Sequence, residues 1–258
     1  MLTEANRFRY EYMRPPMISE MLERCPLAIQ PTGLLEWHGD QNPIGLDGLV
    51  AQYICERAIV KIGRGALMPT NFIGTYGYIR YPGSVVYDEQ TVERIFIQQY
   101  QELAKLGFKV ILILTGHWGA FQEGALQRAT DAAKKEFAKK KAQVRLFGLR
   151  WCDFLFPKEA YGGHGQEGET SIAWRVGEAY DIPLVDVSGF KTGNEEPTLY
   201  SLPPDIPRRE PESWPWLKNL KDPAICSPAI GERFVKTIAG GIAEELRDAI
   251  QELGIHMQ

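Results

Sequence analysis

The sequence has few cysteines and no close pair of them. Its 258 residues include only Cys25, Cys55, Cys152 and Cys226, scattered along the chain without a Cys-x-x-Cys pair. This pattern disfavours a cysteine-rich structural zinc site, and scattered thiols are typical of a reducing compartment. Because the first residues also lack the apolar run of a secretory signal, we expect a cytoplasmic protein.

Long apolar runs and an excess of positive charge are also missing. No apolar run reaches the roughly 18 residues that span a bilayer, so we expect no membrane partner. The formal net charge is −4 at pH 7, which argues against a general nucleic-acid-binding surface. A length of 258 residues suits one large domain better than two.

Strands and helices alternate along the sequence. The strongest strand signal is KVILIL at 109–114, which has no polar alternation and should be buried on both faces, as in a parallel sheet. We expect an α/β fold: a single compact domain over 1–258 with a mostly parallel sheet flanked by helices. A proline-rich stretch at about 186–227 is interpreted as a surface segment or lid. The other predicted strands are 27–31, 66–72 and 144–149, and the predicted helices are 49–62, 88–106, 121–141, 169–179 and 228–253.

Three of the four histidines lie beside glycine at strand or helix junctions. His38 follows the strand at 27–31, His117 follows the strand at 109–114, and His164 precedes a predicted helix. In an open parallel sheet, sites form where the carboxyl ends of the strands meet. We therefore expect these histidines to share one site, whereas His256 lies in the C-terminal tail.

The segment GLLEWHGDQNPIGLDG adds carboxylates to the first histidine. Glu36 and His38 should point to the same side of an extended backbone, because side chains there alternate. Asp47 precedes a predicted helix, where the positive helix end favours a carboxylate, and it could bridge two cations. The alternative is that Asp47 is a helix N-cap and Glu36 a surface charge.

A third segment, HGQEGETS at 164–171, combines His164 with Glu167 and Glu169 at a helix start. A capped helix N-terminus would explain one carboxylate but not the histidine as well. A set of histidines and carboxylates without thiolate suits Zn²⁺ first, and also Mn²⁺ or Fe²⁺. The five candidate ligands are Glu36, His38, Asp47, His117 and either Glu167 or Glu169. Five ligands exceed the needs of one catalytic zinc and favour two cations, which would lower the pKa of a bridging water.

These motifs resemble those of the creatininase (creatinine amidohydrolase) family. The family's first motif, Gly-x-x-Glu-x-His-Gly with a later aspartate, matches residues 33–39 and Asp47. The second, with its Gly-His-Gly-Gly-Asn pattern, matches 116–120, and the third, His-x-Gly-Glu-x-Glu-Thr-Ser, matches 164–171. The motifs keep their order, and the resemblance covers roughly 25–255.

The resemblance implies a binuclear metal-dependent hydrolase and a homo-oligomer, often a hexamer. It implies that Glu36, Asp47 and His117 hold one cation, and that His38, the bridging Asp47 and a glutamate hold the other. Creatininase proper has that glutamate two residues after the second-motif histidine, where this chain has Gly119. Family members that lack this glutamate tend to have the third-motif glutamate that this chain shows as Glu167, so the resemblance implies that Glu167 is the ligand. The expected catalytic residues are His164 and Glu169. His164 would shuttle a proton or contact the substrate. Glu169 would lie next to the metal ligands without binding a cation itself, and it is the alternative ligand to Glu167.

The chain departs from creatininase itself around the substrate. Cys152 and Ala160 stand where creatininase has substrate-holding tryptophans, and Ala120 replaces the second-motif asparagine. We therefore expect a small polar ring other than creatinine, either a cyclic amide or lactam, or a cyclic polyol ketone or diketone opened by C–C hydrolysis. The expected substrate-binding residues are Tyr76, Tyr78, Arg80, Trp118, Gln122 and Arg150.

Three other functions remain open from the sequence. The same cations could stabilise an enediolate in an isomerase or lyase acting on a sugar-like or polyol-like substrate. The chain could also bind metal without catalysis, or be a structural protein without metal. The clustering of three histidines at glycine-flanked junctions argues most strongly against the last of these.

Overall fold

The structure, a computed structural model, describes residues 4–39, 41–79, 81, 83–117, 119–155, 164–183 and 226–255. Its centre is a five-stranded sheet with the order β2-β1-β4-β5, in which β3 also pairs with β1. Every pairing is parallel, so the predicted parallel sheet is confirmed. The strands are β1 (Leu27–Gly33), β2 (Ala66–Leu67), β3 (Asn71–Phe72), β4 (Val110–Thr115) and β5 (Arg145–Arg150).

The two central strands are buried along their whole length. All residues of β1 and β4 are buried, because helices cover both faces of the sheet, as the unbroken apolar run predicts. The register pairs Leu27 with Val110 and Thr32 with Thr115. The two strands therefore end side by side, and the residues that follow them emerge at one edge.

Helices pack on both faces of this sheet. The core on one face includes residues of α2 (Leu46–Ile62), α5 (Glu167–Tyr180) and α6 (Pro228–Glu252). The core on the other face includes residues of α3 (Glu89–Leu106) and α4 (Ala120–Lys139). The described residues begin with two 3₁₀ turns, Glu4–Phe8 and Tyr10–Tyr12, which are followed by α1 (Pro15–Arg24). A third 3₁₀ turn, Trp151–Phe154, follows β5.

Several element boundaries differ from the predicted ones. The expected strand at 66–72 is two short strands, because Pro69 has no N–H to donate to a ladder. Helix α2 begins at Leu46 with Gly45 as its N-cap, so Asp47 lies inside the first turn and is not the cap. Helix α5 begins at Glu167, two residues early, and α1 was not predicted at all.

One sequence expectation falls largely outside this description. Only residues 226 and 227 of the proline-rich stretch at 186–227 are described, so its role as a lid stays a prediction. Among the helices that are described, none is long and apolar enough to cross a membrane.

Candidate metal centre

Glu36 and His38 lie in the segment that follows β1. Both side chains are buried, and the Glu36 Oε1 accepts a hydrogen bond of 2.6 Å from the Tyr78 backbone N–H. The His38 Nδ1 lies 2.9 Å from the Glu36 carbonyl oxygen. Because a carbonyl can only accept, Nδ1 carries a proton, and Nε2 faces the carboxylates, where it can hold either a proton or a cation.

Asp47 stands between two histidines. Its Oδ1 lies 3.0 Å from the His38 Nε2, and its Oδ2 lies 3.2 Å from the His117 Nδ1. Helix α2 can bring it this close because Gly33 and Gly116 end the neighbouring strand segments: a Cβ on either would lie 2.6 Å or less from Asp47 or Gly48 backbone atoms. The backbone of the helix start therefore rests directly on the ends of β1 and β4.

His117 follows β4 and repeats the arrangement of His38. Its Nε2 donates a hydrogen bond of 3.0 Å to the Tyr76 carbonyl oxygen, and its Nδ1 lies 3.0 Å from the Glu36 Oε2. In both rings, one nitrogen is fixed by a backbone carbonyl and the other faces carboxylate oxygens. Metal-binding histidines are oriented in the same way.

The unsatisfied atoms at this point fit a cation. Glu36 Oε2 and Asp47 Oδ2 are buried without a hydrogen bond, which is costly for a charged oxygen. A lone pair facing a carboxylate is repulsive unless a proton or a cation lies between them. Ligand atoms of Glu36, Asp47 and His117 lie within 4.8 Å of one another, as do those of Glu36, His38 and His164.

Charge pairing shifts the titration of all four of these side chains. Although burial opposes their charge, Asp47 raises the pKa of His38 to about 10, and Glu36 raises the pKa of His117. Burial opposes ionisation of the carboxyls as well, yet His117 lowers the pKa of Glu36 and His38 lowers the pKa of Asp47. Protons on the histidines can therefore supply the positive charge between the carboxylates that a cation would otherwise supply.

His164 lies against His38 rather than at a distance from it. Its ring stacks between His38, at 4.1 Å between centroids, and Tyr78, at 3.9 Å. Its Nε2 donates a hydrogen bond of 2.6 Å to the Trp37 carbonyl oxygen. Burial and the neighbouring charge of His38 lower its pKa to about 3. The ring is therefore neutral and its position is fixed, and its expected part in proton transfer stays a prediction.

The two glutamates of the third motif differ in their surroundings. Glu169 is buried, accepts a hydrogen bond of 2.6 Å from the Gly165 backbone N–H, and lines a cavity of about 10 Å³ together with Asp47. Burial raises its pKa to about 7. Glu167, the first residue of α5, is half-buried. Neither belongs to the two ligand groups found in the described residues, so the choice between them stays a prediction.

The residues expected to bind substrate are placed unequally. Tyr76 and Tyr78 border the histidines, as described above. Gln122 is buried, and its Oε1 accepts a hydrogen bond from the Thr75 N–H, while Arg150 forms ion pairs with Asp153 and Glu123. Both therefore have structural partners. Arg80 and Trp118 lie outside the described residues, as does Ala160, and Cys152 is buried.

Three polar residues beside the ligands were not predicted from the sequence. Gln41, Asn42 and Thr170 are buried and join the segment after His38 to the segment after His164. A signal for them was present, since amide and hydroxyl side chains inside ligand-bearing segments are typical of groups that orient ligands.

Comparison with known proteins identifies related sequences and structures. Residues 11–246 match the creatininase family model, described as creatinine amidohydrolase. The chain is 25% identical over 243 residues to the creatinine amidohydrolase of Pseudomonas putida, covering 87% of this chain and 89% of that one. It is 26% identical over 173 residues to the 3-dehydro-scyllo-inosose hydrolase of Thermotoga maritima, covering 63% of this chain but only 54% of that enzyme.

Solved structures agree on the fold. One described as creatininase Mn superposes with a TM-score of 0.72 at 22% identity and covers 93% of this chain and 98% of that one. A mutant creatininase of Zn-Zn type gives a TM-score of 0.70 at 22% identity and covers 93% and 97%.

Proposed function

The chain belongs to the creatininase family of hydrolases, and on that basis we propose that it uses two divalent cations to open a small polar ring by hydrolysis. The observation that carries this proposal is the position of Asp47, whose two carboxylate oxygens face two different histidines at 3.0 and 3.2 Å. A carboxylate that faces two imidazole nitrogens in this way is suited to bridge two cations.

The proposed ligands follow from the contacts and from the family resemblance. Glu36, Asp47 and His117 would hold one cation. His38, Asp47 and Glu167 would hold the other, with Glu169 as the alternative to Glu167. Zn²⁺ is the first choice for such a set, with Mn²⁺ or Fe²⁺ next, and creatininase structures described as Mn and Zn-Zn forms support this range.

Bound cations would supply a water of lowered pKa and would polarise the carbonyl of the substrate. The protein's own contribution is to fix the ligands before substrate arrives. Backbone carbonyls orient His38 and His117, and the Tyr78 N–H holds the Glu36 carboxylate. The stacked ring of His164 lies next to His38, and we propose that it contacts the substrate or moves a proton to the leaving atom.

Two relatives support a ring as the substrate. One is named for creatinine, a cyclic amide, and the other for an inosose, a cyclic polyol ketone. Cys152 and Ala120 replace residues expected in creatininase itself, so we propose a ring other than creatinine. The substrate would be either a lactam-like amide or a polyol ketone. A homo-oligomer, with a hexamer as the expected size, and a cytoplasmic location also stay predictions.

The first experiment is to measure the metal content of wild type, Asp47→Ala and a control, Asp131→Ala, which changes an exposed aspartate of α4. We expect about two equivalents of metal per chain in wild type and the control, and a sharp fall in Asp47→Ala. If reconstituted wild type binds no transition metal, the proposal fails.

A second experiment tests the reaction class. Metal-loaded protein would be incubated with cyclic amides and cyclic polyol ketones in water enriched in ¹⁸O. Hydrolysis places the label in the ring-opened product. Turnover of these compounds without incorporation would instead establish an isomerase or lyase.

A further inference from the structure

A buried cluster of amide and hydroxyl groups joins two segments of the candidate metal centre. We call Gln41, Asn42 and Thr170 the amide clamp. Thr170 is fully buried, and Gln41 and Asn42 are 5% and 8% exposed. Gln41 and Asn42 follow His38 in the chain, whereas Thr170 lies in the first turn of α5, three residues after Glu167.

The hydrogen bonds of the clamp connect these segments directly. The Asn42 Nδ2 donates to the His38 carbonyl oxygen at 2.9 Å and to the Thr170 Oγ1 at 3.1 Å. The Gln41 Nε2 donates to the Gly165 carbonyl oxygen at 2.8 Å. The Thr170 hydroxyl donates to that same carbonyl at 3.3 Å. One threonine oxygen thus receives a bond from the His38 side and returns one to the His164 side.

The clamp acts on one half of the centre only. Its hydrogen bonds reach the backbone of His38 and the segment that carries His164 and Glu167. His117 is held by different groups, since the Thr115 hydroxyl donates to its carbonyl oxygen at 2.7 Å. Among the described residues, these hydrogen bonds of the clamp do not reach Glu36, Asp47 or His117.

We propose that the amide clamp positions His38 for the second of the two cations, the one held by His38, Asp47 and a third-motif glutamate. This inference rests on the proposed binuclear site. The clamp fixes the spacing between the His38 backbone and the start of α5, and therefore the spacing between His38 and the glutamates of that helix. Because the Thr170 hydroxyl bonds Asn42 and the Gly165 carbonyl oxygen rather than a proposed ligand side chain, Thr170 is a positioning residue.

The test is a metal titration of metal-free protein against a chromophoric chelator, which resolves two dissociation constants. Thr170→Val keeps the shape of the side chain and removes the hydroxyl, and Thr170→Ser restores it. Thr130→Val is the matched control, since the Thr130 hydroxyl is also buried and bonded, to the Leu126 carbonyl oxygen and Tyr100, but in the core on the opposite face of the sheet.

We expect Thr170→Val to raise one of the two dissociation constants about 10- to 100-fold, as for other groups that orient metal ligands, and to leave the second unchanged. Thr170→Ser should bind both cations like wild type, and so should Thr130→Val. Asn42→Ala, which removes the donor to His38, should give the same selective loss and replaces Thr170→Val if that variant does not fold.

Different outcomes separate the clamp from the proposed function. If wild type binds two equivalents and the clamp variants show two unchanged constants, the clamp has no positioning role. Equal weakening of both constants, or failure of serine to restore binding, also overturns it. If wild type itself binds fewer than two equivalents, the binuclear proposal is overturned, and the second-cation role of the clamp with it.

Discussion

Replacing Gly116 by alanine tests whether the backbone contact under Asp47 is required. An added Cβ would lie 1.9 Å from the Asp47 carbonyl oxygen, whereas ordinary contact begins at 3.4 Å, so about 1.5 Å of separation must open. Gly116 cannot easily retreat, because its N–H donates to the Thr32 carbonyl and its own carbonyl accepts from the Trp151 indole N–H. The helix start that carries Asp47 has to move instead.

The expected cost of this substitution can be placed on a scale. Overpacking in a dense core costs about 1–3 kcal/mol, and a clash with backbone belongs at the upper end, because backbone has no alternative rotamer. For a chain of this length, about 3 kcal/mol lowers the melting temperature by roughly 6–12 °C. Metal–ligand distances in proteins lie within about 0.2 Å of their ideal values, so a shift of Asp47 by more than this should weaken metal binding as well.

Gly240→Ala is the matched control for this experiment. Gly240 lies inside α6, and a Cβ there would meet no atom within 4 Å. The same chemical change should therefore raise stability by about 1 kcal/mol, through helix propensity alone. Thermal unfolding followed by circular dichroism and metal competition would be measured for both variants. If Gly116→Ala behaves like Gly240→Ala in both assays, the contact under Asp47 is not a constraint.

Two further predictions concern single carboxylates. Glu167→Gln should lower bound metal from about two equivalents to about one, because a neutral amide would replace the proposed anionic ligand. Glu169→Gln should retain both equivalents. The reverse result in metal analysis would identify Glu169 as the ligand. Although partial burial opposes its charge, Arg175 and Arg57 lower the pKa of Glu232, so its contribution to stability is present above its unfolded pKa of about 4.3 and is lost as pH falls through the lower folded pKa. Because this carboxylate is 40% exposed, Glu232→Gln should lower the free energy of unfolding by about 1 kcal/mol or less at pH 7. Urea unfolding should show this difference from wild type shrinking below a pH of about 4. A loss of stability that does not depend on pH would contradict the prediction.

The sheet and the meeting of the histidines could be predicted because both depend on local pattern. The apolar run of β4 has no polar alternation, so burial on both faces follows from sequence alone. His38 and His117 each follow such a strand, and parallel strands end at one edge. The convergence of Glu36, Asp47 and His117 within 4.8 Å therefore agrees with what strand order and chain position predicted.

Other features depend on contacts between distant segments, which periodicity does not report. The split of 66–72 into β2 and β3 follows from one proline and from the Gln30 side chain, which bonds the Pro69 carbonyl. The nitrogen that each histidine presents is set by the Glu36 and Tyr76 carbonyls. The clamp between Asn42 and Thr170 joins residues 128 positions apart, and no local motif encodes such a pair.

The backbone contact under Asp47 also limits which substitutions this fold can accept. Because Gly33 and Gly116 touch main-chain atoms of the α2 start, no side chain can be introduced at either position without moving Asp47. The ring of Tyr78 stacks on His164 and is no part of this backbone contact, so its exchange for another side chain would leave the contact in place. We therefore expect related proteins to differ in substrate through the side chains that line the site, while the backbone contact beneath Asp47 stays the same.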